Sequence, residues 1–550
     1  MRTAHDSKLE LLLFSVIALA GCASEPGAGG DEADGSEDTD GATEGSAGLD
    51  EVGEETGSGE DTGSSEDTGS SESTDSDSGE STDSGESTDS GESTDAGEST
   101  DSGGQDLTPP SVAVSRPFDG LYVNARTWTI AGQASDELGV EAVEVVVNEG
   151  PAEVLDTELA QAIEWQATVA LERGWNTIEV SARDMAGNEQ TASLALHLGL
   201  PVAAGGAHTL AFVESEQAWA WGRNNEGQLG AGLADDQASP VAVVELSDLC
   251  SLAANLNHSL AVTLDGALWA WGRNDEGQLG LGEGEDRDVP TLVASIDEVM
   301  TVSAGQRHSL ALRADGTVWT WGSNSNGQLG QEPAQVGVPA QVAGLPEVVA
   351  IAGGGAYSLA VAADGSVWAW GKNADSQLGL GEGEDQYLPV EVPIEEASGQ
   401  LAVTGKAHSL VIDTSGQMLA WGLDASGQIG VAGSGEDVLA PTAPNALALA
   451  EMIAASGNHS LAIAGDAQLW AWGANFSGQL GMGDDEDRSE PTALAELAQT
   501  RAAAAGLAHS LALDADGQVW VWGLNSFGQL GDGQVGNDHN SAAPLLVALP

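Results

Sequence analysis

The sequence predicts an all-β chain: a seven-bladed β-propeller, preceded by a β-sandwich and by a disordered acidic stalk. Three observations predict it. The motif A-W-G-x-N-x-x-G-Q-L-G returns seven times, with small variations, in steps of 49 to 51 residues. Each period holds four short runs of alternating apolar residues bounded by glycines and Asp-Gly turns. Upstream of the repeats the composition changes twice, first to a purely acidic stretch and then to a second set of short strands.

The period is carried by two markers in register. One is the tryptophan before glycine: Trp221, Trp271, Trp321, Trp370, Trp421, Trp472 and Trp522. The other is His208, His258, His308, Tyr357, His408, His459 and His509, a histidine in six positions and a tyrosine in one. A fixed period of this length marks a propeller, a solenoid or an array. Linear β-solenoids use much shorter repeats, which favours the propeller.

The fourth repeat shows the unit. Val348, Val349 and Ile351 form a β-branched run that ends at Gly353-Gly354-Gly355. Tyr357, Leu359 and Val361 alternate next, and Asp364-Gly365 supplies a tight hairpin, because glycine accepts positive φ at little cost. Trp368 and Trp370 mark a third strand, and Leu388-Pro389-Val390 opens a fourth. Such a sheet cannot bury both faces alone, so successive sheets stack around an axis.

The pattern G-x-x-H-S-L-A-L-x-x-D-G-x-V-W-x-W-G-x-N-x-x-G-Q-L-G resembles the repeat of the regulator-of-chromosome-condensation (RCC1) family, a seven-bladed propeller, over residues 198–550. The departures are Asn255 and Ser456 for the first Gly, Leu419 for the first tryptophan of repeat five, and Ser376 for the Gly before Gln-Leu-Gly. The resemblance implies chromatin binding and nucleotide exchange on a small GTPase, but the charge argues against both. Beyond residue 106 there are 57 acidic against 13 basic residues, a net of about −44. Nucleic-acid binding draws on Lys and Arg to neutralise phosphates, and the whole chain has three lysines.

Residues 1–22 pass from Arg2 and Lys8 through the apolar run Leu11 to Ala20 and end in Leu19-Ala20-Gly21-Cys22. The run is too short to span a bilayer and reads as a signal segment. Its last four residues resemble the lipobox of bacterial lipoproteins, which implies lipid attachment at Cys22. The expected location is the bacterial cell envelope, at the outer membrane or cell surface, with the lipid as sole membrane contact. Residues 23–106 hold 28 acidic and no basic residues and repeat the hexad SGESTD. Such a segment cannot bury enough apolar surface to offset ordering entropy and reads as a stalk of roughly 50 Å r.m.s. span.

Residues 107–197 read as an immunoglobulin-like sandwich acting as a spacer, from the runs VAVS, TWTIAG, EAVEVVVN, WQATVAL, NTIEVSARD and ASLALHL. Its expected core is Trp128, Val145, Val147, Trp165 and Ile178. Cys250, the second of two cysteines, sits in an apolar strand and reads as a core residue.

The recurring residues carry no chemistry of their own. Propeller symmetry spreads the histidines around a ring, whereas metal ligands must converge on one ion, so they read as structural caps of the Gly turns; the tryptophans read as packing between blades. The Gly-rich loops lack G-K-[ST] and a following helix, which excludes a phosphate cradle. No catalytic constellation recurs, and no cofactor or metal site is expected. One asymmetry remains: Arg223, Arg273, Arg307, Lys372 and Lys406, five of nine basic residues in the repeats, map to loops on one propeller face. The expected function is a monomeric, non-enzymatic binding module for an extracytoplasmic protein or polysaccharide. The alternative is an exchange-factor-like, enzyme-regulating or hydrolytic activity on the same fold.

Overall fold

The computed structural model describes residues 106–550 except 156, 213–216, 283, 333–335, 395–397, 434 and 448. The signal segment, Cys22 and the acidic stretch lie outside the described residues. Seven four-stranded antiparallel sheets form the propeller, each built from one contiguous stretch: 202–242, 249–292, 299–341, 348–391, 399–442, 450–493 and 500–547. The expected all-β class and seven blades are therefore borne out. In blade four the strands are Val348–Gly353, Tyr357–Ala362, Val367–Gly371 and Gln386–Glu391. Gly365 turns the second into the third at φ 84°.

Blade stacking alters the burial that alternation alone would give. Every residue of the first two strands of blade four is buried, because both sheet faces lie against neighbouring blades. The fourth strand is half exposed and forms the outer wall.

The preceding domain is a single curled sheet of seven strands: β1 (Ser111–Arg116), β2 (Leu121–Val123), β3 (Thr127–Val147), β4 (Glu153–Val154), β5 (Ala160–Ala170), β6 (Gly174–Asp184) and β7 (Glu189–Leu198). The 21-residue β3 joins what the sequence suggests are two strands. Its first half pairs with β1 and β5, and its second half with β6 and β4. The sheet curls at a register shift between Ser135 and Val140. Trp128, Val145, Trp165 and Ile178 are buried in its core, and Val147 packs at the edge.

This domain is docked onto the propeller, where the sequence suggests only a spacer. An isolated bridge joins Ala125 to Ala350, and Arg126 N–H donates to Val349 O at 2.9 Å. Arg126 Nη2 pairs with Glu347 Oε1 at 3.0 Å, and Thr129 N–H donates to Gln400 Oε1 at 2.9 Å. Arg173 Nε donates to Leu264 O at 2.9 Å and Arg173 Nη1 to Val299 O at 3.3 Å. Apolar packing is continuous from Trp128 and Leu121 into Val349, Leu401 and Met452. All these propeller positions lie at hairpins between second and third strands or at the entries to first strands, so the domain covers one axial face.

Candidate functional site

Each blade is latched to the next by one repeated unit. Blade one supplies His208 and the carbonyl of Gln228; blade two supplies Ser259 and Trp271. Trp271 Nε1 and Ser259 Oγ both donate to Gln228 O, each at 2.9 Å. The serine proton is thereby spent, so its oxygen accepts from His208 Nε2 at 3.0 Å, which fixes the protonated nitrogen of the imidazole. His208 Nδ1 has no partner and faces Gly205, where an added Cβ would fall 2.1 Å from the ring.

The same latch recurs from His258 to Ser309, His308 to Ser358, His408 to Ser460 and His459 to Ser510. Trp321, Trp370, Trp421, Trp472 and Trp522 donate to the equivalent glutamine carbonyls. At the seam His509 Nε2 meets Thr209 Oγ1, while Thr209 and Trp221 donate to Gln529 O at 3.0 and 2.9 Å. Tyr357 breaks the pattern: its hydroxyl donates to His408 O and accepts from Ser409 Oγ at 3.1 Å.

Burial pushes these histidines down to about 3 or 4, so the ring is neutral at physiological pH. Cys250 is likewise internal: burial pushes its thiol up to about 12, and Sγ donates to Val262 O.

The face opposite the docked domain carries the loops between first and second and between third and fourth strands. Backbone bonds tie the two loop classes together: Arg223 N–H to Ala207 O, Arg273 N–H to Asn257 O, Lys372 N–H to Ala356 O and Ser323 N–H to Arg307 O, each at 2.9 Å. Arg223, Arg273, Arg307 and Lys372 thus share this open face, and Lys406 sits in a loop of the same class.

Four of the five are engaged locally. Arg223 bonds Asn225 at 2.7 Å and lies 5.0 Å from the centroid of Phe527; Arg273 pairs with Asp275 at 2.5 Å. Arg307 pairs with Glu276 at 3.4 Å, and Lys372 with Asp375 at 3.0 Å. Lys406 is exposed. Between blades three and four this face opens into a cavity of about 680 Å³ lined by Glu276, Arg307, Asn324 and Asn326. Phe476, 67% exposed, stands on the same face.

Among the described residues one acidic group, Asp106, Asp136 and Asp184, brings oxygens within 4.8 Å of one another. Each already caps a turn, Asp184 accepting from Ala186 N–H and Asn188 N–H at 2.8 Å. The axial channel, about 120 Å³, is lined by the first strands of all seven blades, with Asn124 of the docked domain at one end.

Sequence reasoning did not single out a cleft at the seam between the docked domain and the propeller. Tyr122, Trp175 and His197 line it with Asp248, Leu264, Arg501 and Asp514, around about 320 Å³. These residues come from separate blades and from both domains, and only the half-exposed Trp175 breaks a local rule.

Seven self-contained blades, latched by buried side chains and open on one loop face, define a protein-interaction fold. The RCC1-like domain model matches residues 182–506, and models of the regulator of chromosome condensation repeat match 501–529 and 516–550. The chain belongs to the RCC1-like domain family. Residues 110–199 match glucodextranase, domain B.

The ultraviolet-B receptor UVR8 of Arabidopsis thaliana is 34% identical over 19% of this chain and 25% of its own length. Protein RCC2 of Mus musculus is 42% identical over 14% of this chain and 15% of its own. The chain thus spans about a quarter or less of these relatives. Among solved structures, yeast RCC1 (Prp20) bound to Kap60 aligns with TM-score 0.55 at 22% identity, covering 64% of this chain and 84% of that one. Human WBSCR16 aligns at 0.56 and 23%, covering 61% and 95%. These likenesses show the fold.

Proposed function

We propose that this chain is a lipid-anchored protein of the bacterial cell envelope whose propeller binds an extracytoplasmic protein or glycan through its open face, without catalysis. One observation carries the reading: the docked domain covers one axial face, the recurring polar side chains are spent between blades, and the opposite loop face is left for a partner. The acidic surface supports a partner other than nucleic acid. Leu19-Ala20-Gly21-Cys22 supports the anchor, with Cys22 as the attachment site.

Arg223, Arg273, Arg307, Lys372 and Lys406 are the proposed contacts for an acidic group on the partner. Because most are held by neighbouring carboxylates, they orient a partner more than they attract it from a distance. The full chain, used as bait in envelope extracts, is expected to retain a partner that is lost when Arg223 and Arg273 are both changed to Glu, with unchanged melting temperature. Retention after reversal of all five positions overturns the choice of face. Labelled palmitate is expected in the wild type and absent in Cys22→Ser; equal labelling overturns the anchor.

A further inference from the structure

We propose that the seam cleft between the docked sheet domain and blades one, two and seven binds a carboxylated sugar, one or two pyranose rings of the hexuronate class. The site is separate from the open face. Its volume, about 320 Å³, falls in the range of small-molecule sites.

The walls are aromatic. The rings of Tyr122 and Trp175 lie 5.2 Å apart at 61°, and those of Trp175 and His197 5.0 Å apart at 80°. Trp175 is 51% exposed, whereas the last tryptophan of every blade is wholly buried. It sits within β6, paired in register with His197 of β7, so the platform rests on sheet rather than on a loop. A half-exposed indole held rigidly in a cleft suits the flat C–H face of a pyranose, which removes apolar surface from water without a deep apolar pocket.

The charge comes from Arg501. Its guanidinium lies against Gly120, where an added Cβ would fall 2.7 Å from Cζ, so the glycine at φ 80° is its seat. Among the described residues Arg501 has no hydrogen-bond or ion-pair partner, whereas Arg313 engages Asp297, Glu298 and Asp315. In a chain so rich in carboxylates, an unpaired arginine in a cleft is a ready fork for a carboxylate from outside. Asp248 and Asp514 line the same cleft and would oppose a dianionic phosphate more than a singly charged carboxylate.

His197 completes the complement. Its Nδ1 lies 3.2 Å from Gly199 O and so carries the proton, leaving Nε2 to accept from a sugar hydroxyl. Burial holds the ring neutral, lowered to about 4.

Isothermal titration of the full chain with glucuronate tests the site, with neutral glucose and glucose 6-phosphate, which differ from it only at C6, as comparison ligands. Glucuronate is expected to bind at least about tenfold more tightly than either. Trp175→Ala and Arg501→Gln should each weaken it by about tenfold or more, with Arg501→Lys intermediate, because an ammonium keeps the charge and loses the fork. Phe476→Ala, on the opposite face, should leave it unchanged. Trp175→Ala removes a half-exposed ring, so it reports on the site even if Arg501→Gln perturbs docking. No heat with glucuronate, equal binding of glucose, tighter binding of the phosphate, or full affinity in both Trp175→Ala and Arg501→Gln overturns the proposal.

Discussion

His509 Nε2 and Thr209 Oγ1, 300 residues apart in sequence, lie 3.1 Å from each other and close the ring. The contact repeats the histidine-to-serine bond found at five of the other six junctions, with threonine in the place of serine. The ring is therefore closed by side chains at a seam chemically like those five.

Thr209→Val removes the hydroxyl, leaving His509 Nε2 without its acceptor and one acceptor position on Gln529 O unfilled. A loss of about 1 to 3 kcal/mol is expected, matching Ser309→Ala inside the ring, by chemical denaturation. Deleting residues 540–550 strips the fourth strand from blade seven and should lower the melting temperature far more. An unchanged melt would contradict a closed ring.

Six latch histidines make the fold acid-sensitive. Their folded pKa values, about 3 to 4, lie below the ordinary 6.5, so the unfolded chain takes up protons first as pH falls. Stability is full above pH 6.5 and declines from there toward pH 4, by up to about 2 kcal/mol per histidine at pH 5. Calorimetric melts between pH 7.5 and 4.5 check this, and His308→Gln should flatten the slope.

Glu451 acts in the opposite sense. It is buried in the first strand of blade six, and burial raises its carboxyl to about 7 despite the nearby charge of Arg116. The unfolded chain releases this proton first, so its contribution is present below pH 4.5 and lost as pH rises through 7. Glu451→Gln should gain about 1 to 3 kcal/mol over wild type at pH 8 and little at pH 5, by urea unfolding.

Docking of the sheet domain depends on few polar bonds. Arg173→Ala removes the donors to Leu264 O and Val299 O. Amide exchange should accelerate in residues 171–200 and around Leu264, with the interior of blade six unchanged, as expected for loosening at one interface.

The propeller was legible because its repeat imposes the same turn, glycine and tryptophan in every blade. The histidines read as structural caps of the Gly turn but bond a serine or threonine of the next blade instead, with Nδ1 unpartnered, so only their structural character was legible. Their acceptor network was not, because Gln228 O and its equivalents are backbone atoms that any residue carries. Docking was hidden for the same reason, being made onto Leu264 O, Val299 O and Val349 O. Two departures from the repeat turned out to be a turn change: Asn255 and Ser456 extend the first strand into a two-residue hairpin, with Leu256 and Gly457 at φ 33° and 48°. The seam cleft joins Trp175 and Arg501 across 326 positions, and no periodic signal connects them.

Because each blade is one contiguous stretch, no strand is borrowed to shut the circle. The molecule resembles a necklace whose clasp is the same kind of link as five of the other six. Cutting it between any two blades and rejoining the old ends would give a permuted chain with the same set of junctions. Gain or loss of a whole repeat would likewise change the circumference without demanding a new kind of joint, a route by which such rings can vary in size during evolution.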